Sequence, residues 1–178
     1  MNIIKILLPT DFSESSKAAL GYASTLAAET GAKLIIAHVF NDTPIYLAGY
    51  AGMATMPDYS PEVERANRKL LEQVQPTKSN VQVEHRFLNG PPEKEIVGLA
   101  DREQVDLIVM GTHGRTGLSR LLMGSIAEGV LRNAKCPVLT VKQPTPAEAS
   151  EEGSKKSEAE QEQATHRGPG IESKLSLH

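Results

Sequence analysis

Short apolar runs alternate with helix-favouring segments along the first 142 residues, and this alternation constrains the fold more than any other feature. Five runs predict strands: Asn2 to Leu8, Lys33 to Phe40, Val81 to Leu88, Val105 to Met110 and Pro137 to Lys142. Four segments between them predict helices: Ser13 to Thr30, Pro61 to Gln75, Pro91 to Glu103 and Ser125 to Ala134. Short connections between such elements are typical of parallel strands joined by right-handed crossovers. We therefore expect an α/β fold: a three-layer, doubly wound, five-stranded parallel sheet.

The polarity of the strands indicates their order. Five strands fit either 3-2-1-4-5 or 2-1-3-4-5. The run VQVEHRFL alternates in the manner of an edge strand, whereas NIIKILL and VDLIVM are largely apolar and suit the centre. This favours 3-2-1-4-5. Ligands of such sheets bind at the carboxyl ends of the strands where the winding reverses, so the loops 9–13 and 111–125 are the ones to inspect.

Composition narrows the class of protein. Aromatic residues are only 4% and Trp is absent, so the core must be aliphatic. A net charge of −3 argues against nucleic-acid and anionic-membrane partners. The single Cys excludes a disulfide framework and suits a reducing compartment. The first apolar run, interrupted by Lys5 and ended by Pro9, is too short for a signal peptide, so we expect a cytoplasmic protein.

Two segments differ from this pattern. Residues 143–178 contain only three residues of the Ile/Leu/Val/Met/Phe class, too few to offset the entropy of ordering, which predicts a domain over 1–142 and a disordered tail. The loop from Asn41 to Tyr59 holds three of the four Tyr. A loop of this length is either a poorly ordered connection or a binding surface, and both interpretations stay open.

The stretch GTHGRTGLSRLLMGS, after the fourth predicted strand, could cradle a phosphate chain. Gly111, Gly114 and Gly124 carry no side chain that would block backbone amides, and Ser125 opens a helix whose N-terminus attracts negative charge. The alternative is that Gly111, Gly114 and Gly117 only turn a loop and that Gly124 allows tight helix packing. No G-K-[ST] sequence is present, so the lysine of a P-loop is missing, and binding without strong catalysis is predicted.

Individual polar residues have competing interpretations. Asp11, after the first predicted strand, could cap the first helix, or its carboxylate could accept from a ribose hydroxyl or an adenine amine. His113 is expected to be a solvated loop residue, His38 an interior histidine with its hydrogen bonds satisfied, and Cys136 a packing residue. No metal-ligand spacing is visible, so any Mg²⁺ would arrive with the phosphates of a ligand.

The spacing Gly111-x2-Gly114-x9-Gly124-Ser125, together with Pro9-Thr10-Asp11 and His38-Val39, resembles the nucleotide-binding branch of the universal stress protein family over roughly residues 1–142. The resemblance implies strand order 3-2-1-4-5, homodimers, and ATP bound where the winding reverses. It places the adenine pocket on Thr10, Asp11 and the backbone of Val39. It places the ribose and phosphate contacts on Gly111, Gly114, Arg115, Gly124, Ser125 and Ile126, and apolar walls on Pro9 and Met110.

These observations predict an ATP-binding stress-response protein that acts as a nucleotide-dependent switch or scaffold. Any hydrolysis of ATP should be slow, because the sequence offers few residues that could neutralise the charge on the phosphates or position an attacking water. A scaffold of the non-nucleotide branch, acting only through contacts with an unknown protein, is one alternative. An adenylate-forming or pyrophosphate-releasing enzyme is another, disfavoured because PTDFS is not a Ser/Gly-rich pyrophosphate loop.

The last predicted strand, Pro137 to Lys142, carries an expectation about assembly. PVLTVK is apolar with one charge at its end, and an open apolar edge invites pairing with another chain. Pro144 and Pro146 prevent the following residues from adding a sixth strand. We expect an antiparallel pairing of this strand with its copy in a two-fold dimer, the alternative being that the tail covers the edge.

Overall fold

The computed structural model describes residues 2–41, 61–112 and 123–142. In chain order the elements are β1 Lys5–Pro9, α1 Glu14–Thr30, β2 Lys33–Phe40, α2 Pro61–Gln73, β3 Val83–Asn89, α3 Pro92–Glu103, β4 Leu107–Gly111, α4 Ser125–Asn133 and β5 Val138–Val141. Every predicted helix and strand is present, with bounds that differ by at most three residues. The predicted tail and the loop residues 42–59 lie outside the described residues.

All neighbouring strands are parallel, and the sheet order is β3-β2-β1-β4-β5. The predicted order 3-2-1-4-5 is therefore confirmed. Central β1 pairs Leu7 with Ile35 of β2 and with Ile108 of β4. Alternate residues of the strands enter two aliphatic cores, one under α1 and α2 and the other under α3 and α4. The result is the expected three-layer arrangement, in which the first and fourth strands are neighbours.

The predicted starts of the first and fourth strands were early, and one carboxylate explains both differences. Asp106 Oδ2 accepts hydrogen bonds from the backbone amides of Ile4, at 2.8 Å, and Lys5, at 2.9 Å. These two bonds hold the pKa of Asp106 below its ordinary value. Just before it, Gln104 ends α3 in the left-handed conformation, at φ 51°. Residues 104–106 therefore form a junction between α3 and β4, and regular strand begins only at Leu107.

The two outer strands of the sheet, β3 and β5, differ in chemistry. At the β3 edge, Glu84 is ion-paired to Lys33 and Arg86, and Arg86 Nη2 donates to Glu103 at 3.0 Å. This hydrogen bond from Arg86 is the main reason that the pKa of Glu103 lies below its ordinary value. The β5 edge carries Leu139, which leaves 37% of its surface exposed. We call the β3 edge, with Glu84 and Arg86, the charged edge, and the β5 edge, with Leu139, the apolar edge.

Candidate functional site

A cleft of about 470 Å³ lies at the carboxyl ends of β2, β1 and β4. This is where the winding of the sheet reverses, the place where doubly wound folds bind ligands. Nine of the eleven predicted site residues line it: Pro9, Thr10, Asp11, Val39, Met110, Gly111, Gly124, Ser125 and Ile126. Gly114 and Arg115 lie outside the described residues. The described residues of the glycine motif and the carboxyl ends of β1 and β2 therefore line one cleft.

The turn between β1 and α1 is fixed by short hydrogen bonds. Ser13 is the N-cap of α1, and its side chain accepts from the amide of Ser16. Asp11 Oδ1 in turn accepts from the hydroxyl of Ser13 at 2.6 Å and from its amide at 3.1 Å. Asp11 is thus not the cap itself but stabilises the residue that is. The interpretation of Asp11 as the cap is therefore wrong, because Ser13 has that role. The Asp11 carboxylate lines the cleft.

Phe12, in the middle of this turn, has a left-handed backbone with φ 67°. That conformation costs a residue with a Cβ roughly 1–2 kcal/mol, so surrounding contacts must hold it. The Phe12 ring packs against the His38 ring with centroids 4.4 Å apart. His38 is buried and donates from Nδ1 to the carbonyl of Thr10 at 2.8 Å, which confirms the predicted interior histidine and its satisfied hydrogen bond. Phe12 and His38 together fix the strand end on which Asp11 lies.

The N-terminus of α4 has a different construction. Its N-cap is Gly124, and no side chain caps the helix. The Gly124 amide donates to the Thr112 carbonyl at 2.8 Å, and the Thr112 amide donates to Val141 at 3.1 Å, so the helix start is tied to β4 and β5. Gly124 has φ −64° and ψ 145°, which any residue can adopt. Glycine is therefore not needed here for its backbone, and what it does provide is a helix start without a side chain at the cleft.

Gly111 has a packing requirement of its own. A Cβ at this position would come within 2.8 Å of the carbonyl carbon of Ser15 and 2.9 Å of its oxygen. Contacts this close with backbone atoms cannot be relieved by a change of rotamer. The end of β4 thus needs glycine in order to pass the first turn of α1. The motif predicts a phosphate contact or a loop turn as the reason for this glycine, and close packing against α1 is a third reason.

The sequence motif and the strand ends did not predict that helices α2 and α3 contribute to the cleft. Pro92 and Ile96 come from the first turns of α3, and Val63 and Asn67 come from the first turns of α2. None of these residues belongs to a recognisable sequence motif. Only the topology could have indicated their position, because every helix that follows a strand in this fold starts at the carboxyl edge of the sheet, near the cleft.

Other chemistry is not found in the described parts of the chain. Within residues 2–41, 61–112 and 123–142, no three His, Cys, Asp or Glu side chains are grouped so that they could hold a metal ion. No helix there is both long and apolar enough to cross a bilayer. Cys136 packs against the core under α3 and α4, as predicted, and burial raises the pKa of its thiol.

Comparison with known proteins gives the family. A model described as "Universal stress protein family" matches residues 3–142. The chain belongs to this family. Universal stress protein MJ0531 of Methanocaldococcus jannaschii is 37% identical over 142 residues, which cover 79% of this chain and 82% of that protein.

Solved structures agree with the assignment. The structure of MJ0577, from the same organism, superposes with a TM-score of 0.58 at 28% identity, covering 82% of this chain and 99% of that one. A universal stress protein crystallised in complex with cAMP superposes with a TM-score of 0.60 at 27% identity, covering 80% of this chain and 98% of that one. The fold of this family member is thus shared by a protein whose crystals contain an adenine nucleotide.

Proposed function

We propose that this protein binds an adenine nucleotide, ATP, in the cleft at the carboxyl ends of β2, β1 and β4, and acts as a nucleotide-dependent switch or scaffold. The observation that carries the proposal is the meeting, at that cleft, of the strand end Pro9 to Asp11 with the uncapped start of α4. The cAMP complex of a related universal stress protein supports a ligand of this class. The proposed nucleotide-binding domain comprises residues 1–142.

Each end of the cleft suits a different part of a nucleotide. The first turn of α4 offers backbone amides and the positive end of a helix dipole, which favour phosphate. The hydroxyl of Ser125 adds a donor there, and Gly114 and Arg115 of the motif are proposed to join it. Thr10, Asp11 and the backbone of Val39 offer hydrogen-bonding groups, with Pro9 and Met110 as apolar walls, which favour the adenosine part.

The same residues supply little for hydrolysis. The sequence has no P-loop lysine, and the proposed site has no lysine to neutralise a leaving diphosphate. Any Mg²⁺ would bind through the phosphates of the nucleotide and keep most of its waters. The protein is accordingly proposed to bind and release ATP, with hydrolysis slow.

Calorimetric titration of the full chain with ATP tests the proposal. We expect saturable heat, and we expect tripolyphosphate alone to bind more weakly because it lacks the adenosine contacts. Heat equal to that of dilution at millimolar ATP would contradict nucleotide binding and favour a scaffold that acts through protein contacts. Rapid release of pyrophosphate during the titration would instead indicate an adenylate-forming enzyme.

We further propose a homodimer through β5. The Pro137 carbonyl accepts from the amide of Ile108 in β4, and the Val141 carbonyl accepts from the amide of Thr112 just after β4. The backbone groups of odd-numbered residues in β5 are therefore directed toward β4. The amides of Val138 and Thr140 are then directed to the open side, where a second copy can pair with them. The exposed side chain of Leu139 would be buried by the same contact.

Replacing Thr140 by Pro tests the dimer, because it removes an outward amide and leaves the β4 ladder intact. Light scattering should give a monomeric mass for Thr140→Pro and a dimeric mass for both the parent and the control Thr140→Val. A monomeric parent at micromolar concentration, or a dimeric Thr140→Pro with native circular dichroism, would show that this edge is not the interface.

A further inference from the structure

Helix α2 reaches the cleft from the side opposite α4. It packs on β2 and β3 and buries Leu71 in the core of the α1 face, whereas α4 buries Val130 in the core of the other face. Yet Val63 and Asn67, from the first two turns of α2, line the same cleft as Gly124 and Ser125. The cleft therefore extends across the top of the sheet, from the start of α4 to the start of α2.

The two ends of α2 have different surroundings. Beyond its C-terminal end, the Val74 carbonyl accepts from His85 Nε2 at 2.7 Å, and the Thr77 amide donates to buried Ser24 at 3.1 Å. In the middle, the Arg68 guanidinium lies 4.0 Å from the centre of the Phe87 ring. Toward the N-terminal end, Val63 leaves 45% of its surface exposed at the rim of the cleft. The C-terminal part of the helix is thus anchored, and an apolar side chain at the other end faces the cleft without being buried.

We propose that Val63 is a nucleotide-contacting residue: it forms the outer apolar wall over the base or ribose, and Asn67, one turn later, provides the polar group beside it. This rests on the proposed function. If the phosphates lie at the start of α4, the adenosine part extends toward β2 and α2. A purine presents two apolar faces. When Val63 covers one of these faces, apolar surface of the purine and of the Val63 side chain is removed from water.

Asn67 has the chemistry for the second role. Its Nδ2 donates to the Val63 carbonyl at 2.9 Å, which holds the amide against the helix and makes Oδ1 its acceptor. An acceptor at the rim of a cleft can take a hydrogen bond from an exocyclic amine or a ribose hydroxyl. Neither residue belongs to the glycine motif or to the strand ends that define the site in the sequence, so α2 adds a wall that the motif does not describe.

The chain offers a matched control on the same helix. Leu70 leaves 46% of its surface exposed, nearly the same fraction as Val63, but it does not line the cleft. Truncation to Ala at either position keeps the helix, since Ala has the highest helix propensity. A difference between Val63→Ala and Leu70→Ala in nucleotide affinity therefore reports on position relative to the cleft and not on loss of an exposed apolar group.

The experiment is calorimetric titration of the parent, Val63→Ala and Leu70→Ala with ATP and with adenosine, and thermal unfolding of all three without ligand. We expect Val63→Ala to raise the Kd for both ligands by about three- to tenfold, and Leu70→Ala to leave both unchanged, with similar Tm values throughout. Equal Kd values for the parent and Val63→Ala, or equal losses in both variants, would overturn the role of Val63. A parent that binds neither ligand would instead overturn the proposed function, so the two failures are distinguishable.

Discussion

Helices α1 and α4 both begin at the cleft, and their N-termini are built in opposite ways. At α1, Ser13 caps the helix, Asp11 braces Ser13, and Phe12 adopts a left-handed backbone to bring them together. At α4, Gly124 is the N-cap and no side chain caps the helix. Both helix dipoles direct positive potential at the cleft. Of these two helices, α4 is the one whose N-cap residue has no side chain that could accept from the amides of the first turn.

The difference teaches how one fold can use the same secondary structure for stability and for binding. A side-chain cap satisfies amides of the first turn and stabilises the helix by about 1 kcal/mol, but it occupies the position that an anion would take. A glycine cap gives up that stabilisation and leaves the position open. We therefore expect substitutions at the N-cap of α4 to change nucleotide affinity most, and loss of the α1 cap Ser13 to change mainly the free energy of unfolding.

The largest effect is expected from Gly124→Asp, which would give α4 an acidic cap. The carboxylate would compete for the first-turn amides and repel the phosphates, so we expect the Kd for ATP to rise about a hundredfold or more. The free energy of unfolding should rise by only a few tenths of a kcal/mol, since glycine is itself a fair N-cap. Calorimetry and urea unfolding measure the two quantities.

Gly124→Asn is the matched control, because it can cap without a charge. It should weaken ATP binding less than Gly124→Asp does. Unchanged affinity in both variants would mean that the phosphates do not lie at α4.

A smaller effect is expected from Asp11→Ala. If the carboxylate accepts a hydrogen bond from the adenosine part, its loss should cost about 1.5 to 3 kcal/mol of binding free energy, or tenfold or more in Kd. Titration with ATP and with tripolyphosphate separates the two ends of the cleft, because only ATP should lose affinity. Equal losses for both ligands would indicate that Asp11 acts by shaping the whole cleft.

The smallest change in affinity is expected from Ser13→Ala. This variant removes the cap of α1 but keeps the carboxylate of Asp11, so the free energy of unfolding should fall by about 1 to 2 kcal/mol. The Kd for ATP should stay within about threefold of the parent value. The corresponding change in binding free energy is smaller than the ~1.4 kcal/mol of a tenfold change in Kd. A loss of affinity as large as that of Asp11→Ala would show that the two N-termini are not divided between stability and binding.

The fold was predictable because local signals and the global arrangement agree. Ser13 begins the predicted helix and Gly31 follows it directly, and these residue types favour helix ends. They are the N-cap and C-cap of α1, Gly31 with φ 73°. The alternating polarity of β3 correctly placed it at an edge. The strand starts at Lys5 and Leu107 were not predictable, because they are set by Asp106, whose partners Ile4 and Lys5 lie about 100 residues away in sequence.

The candidate site was predictable only where a motif or a strand end marks it. Pro9 to Asp11 and Gly124 to Ile126 could be found because sheet topology brings the carboxyl ends of strands together. The reason for Gly111 could not be found, since the backbone of Ser15 that excludes a Cβ there approaches only in the folded chain. Val63 and Asn67 were missed for a similar reason, because nothing in α2 itself distinguishes a residue at the cleft from one in solvent.

The charged edge has a consequence for the size of any assembly. Glu84 and Arg86 on β3 are engaged in ion pairs with Lys33 and Glu103, and a strand approaching this edge would have to displace or desolvate those charges. Only the apolar edge is suited to adding a strand. In the proposed two-fold dimer, a single contact joins the two β5 edges and leaves neither of them open to a further strand. Such an assembly would be closed and would not grow into a filament.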